Sequence, residues 1–387
     1  METIICGISA LLYWRIPPIV QLLACGPEDG VVSDAHVTPE EVASLRASLQ
    51  SELPLARVFV SQGSAWRHAG HDAKNLREVC SLLALGMTGP VEILVHTRSK
   101  MHSSTLVKPR LFSLNIPFGT LHHVSEDVFV ASPGLALAHV ASRLSPTRCL
   151  MLLSELCGQF ALYRAPASVA RLLENMHRRG TVAPAGGWRP CFTAAGTLSD
   201  LWMRPPLLVP PDVARLVEDV GRLRGKRRLA EAAALVVSGA ASPFEAQTGI
   251  LLGLERGRGG EGYGGLTHSH KVDLSESARR LAGRSCCYCD LYWEDGLDVE
   301  CQSTMYHDNE RSWLSDAERS AALSLMGIGV LPVTSAQVFS QRRFEAFSRA
   351  VAALLDRPCG SKDDSEREAQ RLLRREVLGD WLSIPPA

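Results

Sequence analysis

What the chain lacks narrows it first. It has no net charge: 41 basic and 41 acidic residues balance over 387 positions. No global positive field draws in nucleic acid, so any such contact must come from local patches. It has no run long and apolar enough to cross a membrane. The apolar opening, residues 1–14, lacks a basic leading segment, carries Glu2 and is interrupted by Tyr13-Trp14-Arg15. It reads as a short amphipathic helix over 7–15 rather than a signal peptide. Eleven cysteines, an odd number, have no regular spacing. That predicts a reducing cytoplasm, not a disulfide framework. Cys286, Cys287 and Cys289 lack a second Cys/His pair at finger spacing, which argues against zinc. The glycine-rich stretch 257–265 lacks the Lys-Ser/Thr of a phosphate-cradling loop. No internal repeat is present. What remains is ordinary globular composition, 46% hydrophobic and 21% charged. The length predicts two or three domains.

The most informative stretch is YCDLYWEDGLDVECQSTMYH, residues 288–307. It predicts a β-hairpin: strands over 288–293 and 297–302, joined by Glu294-Asp295-Gly296. A three-residue loop ending in Gly suits a type I turn closed at positive φ. If Trp293 pairs with Leu297, Asp290 lies opposite Glu300. Strict alternation then puts Tyr288, Asp290, Tyr292, Asp298, Glu300 and Gln302 on one face. Cys289, Leu291, Trp293, Leu297, Val299 and Cys301 fall on the apolar one. Opposed acids on neighbouring strands cost roughly 0.2–1 kcal/mol per pair. A divalent cation held by one or two carboxylates would offset that cost. The plain alternative is a solvated polar face. Downstream, Ser315-Asp316-Ala317-Glu318 predicts a capped helix start, with Asp316, Arg319 and Leu323 on one face. Gly327 ends that helix, and 328–334 predicts a strand.

These residues resemble the PD-(D/E)XK nuclease superfamily, in particular its branch similar to very-short-patch-repair endonucleases. The matching positions are Asp290, Glu300-Cys301-Gln302, His307, Asp316 with Arg319, and Met326-Gly327-Ile328. Ser242-Pro243-Phe244-Glu245 resembles the family's opening helix with its Glu. The resemblance covers about 240–355. It implies a restriction-endonuclease-like core in which Asp290 and Glu300 bind Mg²⁺ or Mn²⁺, Glu245 completes the ion's surroundings and Gln302 orients water or phosphate. His307 and Arg319 would hold phosphate, with Asp316 fixing Arg319. The Lys usual in the third-strand motif is Gln302 here, and an amide is neither a cation nor a base.

Toward the N-terminus, Ser9-Ala10-Leu11-Leu12-Tyr13-Trp14 resembles the opening helix of AbiEi-type antitoxin-like proteins. Strands are expected at 55–60, 91–95, 106–114 and 124–130, and helices near 74–85, over 133–160 and over 167–179. His96, Arg98, Lys100 and His102 form a basic run between strands, a phosphate contact or a solvated loop. Prolines 205, 206, 210 and 211 bracket an expected linker. Arg222, Arg224, Lys226, Arg227 and Arg228 form the densest basic patch, either a phosphate-backbone contact or an exposed helix connection. The expected organisation is α+β: an N-terminal α/β domain over 1–204, linker and basic helices over 205–240, the restriction-endonuclease-like core over 241–356, and a charged, solvated helical tail over 357–387. Two functions fit. One is a metal-dependent DNA endonuclease. The other is a nuclease-fold protein acting as a DNA-binding or toxin–antitoxin-type regulator.

Overall fold

The computed structural model describes residues 2–26, 37–53, 74–112, 114–302 and 310–383. The fold is α+β. It divides into two compact units: Met1–Cys149 with Ala161–Ala234 and Leu382–Ala387, and Leu150–Phe160 with Leu235–Trp381. No helix among the described residues is long and apolar enough to cross a membrane.

In the first unit a five-stranded sheet has the order β3-β2-β1-β5-β4. Its strands are β1 (Thr3–Ile5), β2 (Val91–Val95), β3 (Val107–Leu111), β4 (Leu121–Ser125) and β5 (Val128–Ala131). Helices α1 (Gly7–Tyr13), α2 (Pro18–Cys25), α3 (Pro39–Glu52), α4 (Cys80–Gly86), α5 (Pro133–Val140) and the start of α6 (Pro146–Leu156) accompany it, the rest of α6 belonging to the second unit. β6 (Phe160–Leu162), β7 (Arg189–Phe192) and β8 (Leu198–Met203) form a second, three-stranded sheet, with α7 (Ala167–Arg179) between β6 and β7.

Several sequence expectations are corrected here. Residues 3–5, for which no strand is expected, form the central strand and are buried. The single strand expected over 124–130 is a turn and parts of two strands, because Glu126-Asp127 link β4 to β5. The region expected as helix and loop after residue 163 also contains β7 and β8. Trp202 there is fully buried, donating its Nε1–H to the Tyr163 carbonyl (3.1 Å). The stretch expected as linker and basic helices, 205–240, holds α8 (Pro210–Asp219), which ends before the expected Arg224, and α9 (Lys226–Leu235); together they bury Val213, Leu216 and Leu229. The strand expected over 55–60 lies outside the described residues.

The second unit carries a four-stranded sheet in the order β12-β11-β10-β9. Its elements run α10 (Pro243–Gly253), β9 (Leu266–Asp273), α11 (Glu276–Ala282), β10 (Cys286–Trp293), β11 (Leu297–Gln302), α12 (Glu310–Leu325) and β12 (Gly329–Thr334). β9, β10 and β11 are antiparallel, and β12 runs parallel to β11. A parallel neighbour needs a crossover, which α12 supplies. The hairpin register is as expected: Trp293 pairs with Leu297, and Gly296 sits at φ +84°. Gly327 ends α12 at φ +79°. α12 begins at Glu310, five residues before the expected start, so Ser315 lies within the helix. The tail is corrected too. After α13 (Ser335–Phe339) and α14 (Gln341–Leu354), α15 (Asp364–Val377) buries Gln370, Leu373, Arg374 and Val377. The spacing i, i+3, i+4, i+7 is one helix face, hidden in the sequence by surrounding charge.

Candidate active site

β10 does not alternate along its whole length. Cys287, Cys289 and Tyr292 all contribute to the apolar cluster formed with Ala278, Ala282, Ala322 and Leu323 of α11 and α12. Trp293 lies on the other face, donating its Nε1–H to the Tyr263 carbonyl (2.9 Å). Positions 289 and 292 share a face only if the strand turns over between them. The irregularity falls at Asp290. The β9–β10 ladder pairs Cys289 with His270 and Leu291 with His268, and skips Ser269 and Asp290. Ser269 holds φ +49°, an uncommon value for a residue with a Cβ. The β10–β11 ladder stops at Leu291–Val299.

Side chains take over where the ladder stops. Asp290 Oδ2 accepts from the Cys301 N–H (2.9 Å). The Asp290 N–H turns to the Asp298 carboxylate. The Asp290 carbonyl accepts from His268 Nδ1 (3.2 Å). Two carboxylates thus replace two backbone acceptors, and the two acids separate to different neighbours. This corrects the expected shared face of Asp290, Asp298 and Glu300.

One neighbourhood is α10. Ser242 caps that helix: its Oγ accepts from the Glu245 N–H (3.1 Å) and its hydroxyl donates to Glu245 Oε1 (2.9 Å). The Ala241 N–H donates to Glu245 Oε2 (2.8 Å). α10 lies close to β9 because Gly249 leaves room: a Cβ there would sit 2.7 Å from the His268 ring. Glu245 is buried, and its carboxyl is pushed up to about 8 by desolvation first and by the Asp290 charge second. The Cys301 thiol is buried beside the same two acids and hydrogen-bonds Thr248. Burial, then Asp290 and Glu245, hold it well above the ordinary thiol range.

The other neighbourhood is α12. Arg319 Nη1 donates to Glu300 Oε2 (2.6 Å), and its Nη2 reaches Asp298 Oδ2 (3.3 Å). Asp298 is 0% exposed. Burial pushes its carboxyl up to about 6, against the pull of Arg319 and of the Cys289 thiol.

Of the residues singled out in the sequence, the structure therefore brings Glu245 together with Asp290, and Glu300 with Arg319. It does not assemble Asp290 and Glu300 as one metal pair: Glu300 is held in an ion pair with Arg319. Gln302 is exposed at the end of β11, opposite Thr334 of β12. His307 and the Asp316 side chain lie outside the described residues. Arg224, Lys226 and Arg227 belong to the first unit, where Arg227 pairs with Glu231 four residues on (3.0 Å). Sequence reasoning missed Asp298 as a buried acid, although a second acid two positions before Glu300 on a strand is a readable signal. It also missed Thr248 and Cys301, which carry no signal. Among the described residues no group of three His, Cys, Asp or Glu is placed to hold a metal. The cysteine cluster is not such a group, since Cys287 and Cys289 are packed in the apolar cluster.

The Glu245 shift has a measurable consequence in metal-free, chelator-containing buffer. A carboxyl whose folded pKa lies above its ordinary 4.5 contributes stability that is fully present below about 4.5 and lost as pH rises through about 8. Asp298 acts in the same sense up to about pH 6. His268 and His139, held down at about 4 by burial against an ordinary 6.5, act in the opposite sense up to about pH 6.5, so the window from about pH 7 to 8 is the one that isolates Glu245 from these groups. Thermal unfolding should show the second unit losing stability across that window, and Glu245→Gln should flatten the loss.

No family model matches this chain, and no curated protein or solved structure matches it either.

Proposed function

We propose that the second unit is a restriction-endonuclease-like core that hydrolyses phosphodiester bonds of DNA with the help of a divalent cation. The observation that carries the reading is the meeting of Glu245, in the first turn of α10, with Asp290, at the point where β10 and β11 part. The order of helix, three antiparallel strands, helix and parallel strand supports it, being the order that the sequence resemblance implies.

The donor set fits Mg²⁺ or Mn²⁺. Such ions take oxygen ligands, with one or two carboxylates sufficing when water and substrate phosphate fill the rest. Glu245 and Asp290 are the residues that would hold it, and each carboxylate oxygen keeps a lone pair beyond the hydrogen bond it accepts. When bound, the ion supplies acidified water and takes up charge developing on the phosphoryl oxygens. The chain's own part is positioning. The Ala241 N–H and the Ser242 hydroxyl fix Glu245, and the Cys301 N–H fixes Asp290. Gln302 offers an amide to water or phosphate at the exposed strand end. Arg319 is not a phosphate ligand in this reading, because two carboxylates already engage it.

Cleavage of supercoiled plasmid and of single-stranded DNA in Mg²⁺ and Mn²⁺ tests the reading. Metal-dependent cleavage abolished by Asp290→Ala and by Glu245→Gln supports it. Cleavage indifferent to both substitutions overturns it. The ion pair that occupies Glu300 favours a second reading, a nuclease-fold DNA-binding or toxin–antitoxin-type regulator. Intact DNA binding without cleavage would select that one.

A further inference from the structure

Two basic runs that are far apart in the sequence meet in the first unit. Arg98 comes from the run after β2, and Arg222 and Arg224 from the connection between α8 and α9. With Arg110 of β3 and Arg143 they line one cavity of about 580 Å³. Among the described residues, the one carboxylate bound to these guanidiniums is Glu92, the second residue of β2. It is 4% exposed and accepts from Arg110, from both amino groups of Arg143 (3.1 and 3.2 Å) and from the Ile8 N–H (3.0 Å). One carboxylate neutralises one charge. The guanidiniums of Arg98, Arg222 and Arg224 have no hydrogen-bonding or ion-pair partner among the described residues, and all three residues are exposed.

The arginines are held in place. Gly225 sits at φ +87°, and a Cβ there would lie 2.4 Å from the Ser142 nitrogen. Arg228 donates to the carbonyls of Ala141 (2.9 Å) and Leu144. These contacts fasten the second basic run beside Arg143. The same cavity has an apolar side made by Leu94, Phe112, Leu114 and Leu223. The His139 ring stands edge-on to Phe112, 4.9 Å between centroids, and neither ring nitrogen has a partner among the described residues. Burial and then Arg143 push His139 down to about 4, so it presents a neutral imidazole.

Guanidinium forks match phosphate geometry, and several like charges around one cavity favour an anionic ligand. The volume is that of a small-molecule site rather than a groove for a duplex. We propose that this cavity binds a phosphorylated organic molecule of nucleotide size, with its phosphates on Arg98, Arg222 and Arg224 and its ring or chain against Phe112 and Leu223. The second unit also has a cavity rich in arginine, of about 1050 Å³. There Arg256, Lys362, Arg367 and Arg371 are each paired with an acid, and Glu345 lines the cavity beside Arg349, Arg374 and Arg375, so its excess of positive charge is smaller.

The proposal does not depend on nuclease activity. Calorimetric titration of the full chain with ATP, in EDTA so that no metal-bound nucleotide engages Glu245 and Asp290, tests it. The expected result is saturable binding that weakens 10- to 100-fold in Arg222→Ala/Arg224→Ala, two exposed positions whose loss leaves the fold intact. Asp290→Asn should bind ATP as the wild type does. AMP should bind more weakly than ATP, and inorganic phosphate more weakly still. No ATP binding, equal binding by the double variant, or inorganic phosphate binding as tightly as ATP would each overturn the proposal.

Discussion

Replacing Arg319 by methionine should cost the second unit about 3–5 kcal/mol, the penalty for stranding buried charge. Methionine keeps most of the volume and removes only the guanidinium. Asp298 is then left fully buried, and Glu300 partly buried, without their cation. Asp298 already titrates high, at about 6, with Arg319 in place. Without Arg319 it should take up a proton in the folded state, and the loss should be smaller in mild acid. Combining Arg319→Met with Asp298→Asn and Glu300→Gln should recover much of the stability, because the stranded charges go with the cation. Urea unfolding at two pH values reads all of this. A loss below about 1 kcal/mol for Arg319→Met would mean that the triad is solvated like a surface pair.

Asp290→Asn should lower DNA cleavage by roughly 10²–10⁴-fold while leaving stability nearly unchanged. Asparagine has the same shape and can still accept from the Cys301 N–H, so the junction between β10 and β11 keeps its hydrogen bond. What it loses is the charge that holds the cation, whose charge stabilisation is worth several kcal/mol at about 1.4 kcal/mol per decade of rate. Glu300→Gln should do the reverse. Its carboxylate is bound to Arg319, so its removal should weaken the unit more than it slows cleavage. If the two variants exchange these phenotypes, Glu300 and not Glu245 partners Asp290 at the cation.

Much of the second unit is legible in the sequence because its signals are local. Glu294-Asp295-Gly296 sets the hairpin register, Ser242 with Glu245 marks a helix start, and Gly327 marks a helix end. The site itself is less legible. Alternation predicts Asp290 beside Glu300, and one residue at a time that is the natural expectation. The strand turns over at Asp290 instead, opposite Ser269 at positive φ. A serine in that conformation has no sequence signature, since its stability comes from the surrounding ladder and from carboxylates replacing backbone acceptors. Glu92 is similar: a charge inside an apolar strand is visible, but its partners Arg110 and Arg143 lie 18 and 51 residues away. The three-stranded sheet escaped notice because its strands are three, four and six residues long, among prolines and glycines. The two basic runs of the first unit were each visible, but their meeting is a tertiary fact.

The most direct measurement is a calorimetric Mn²⁺ titration of the wild-type protein beside Asp290→Asn, Glu245→Gln and Glu300→Gln. The account predicts one saturable site in the wild type, lost in Asp290→Asn and Glu245→Gln and kept in folded Glu300→Gln. Equal Mn²⁺ binding by all four proteins, or none by the wild type, would contradict a cation site built on Glu245 and Asp290.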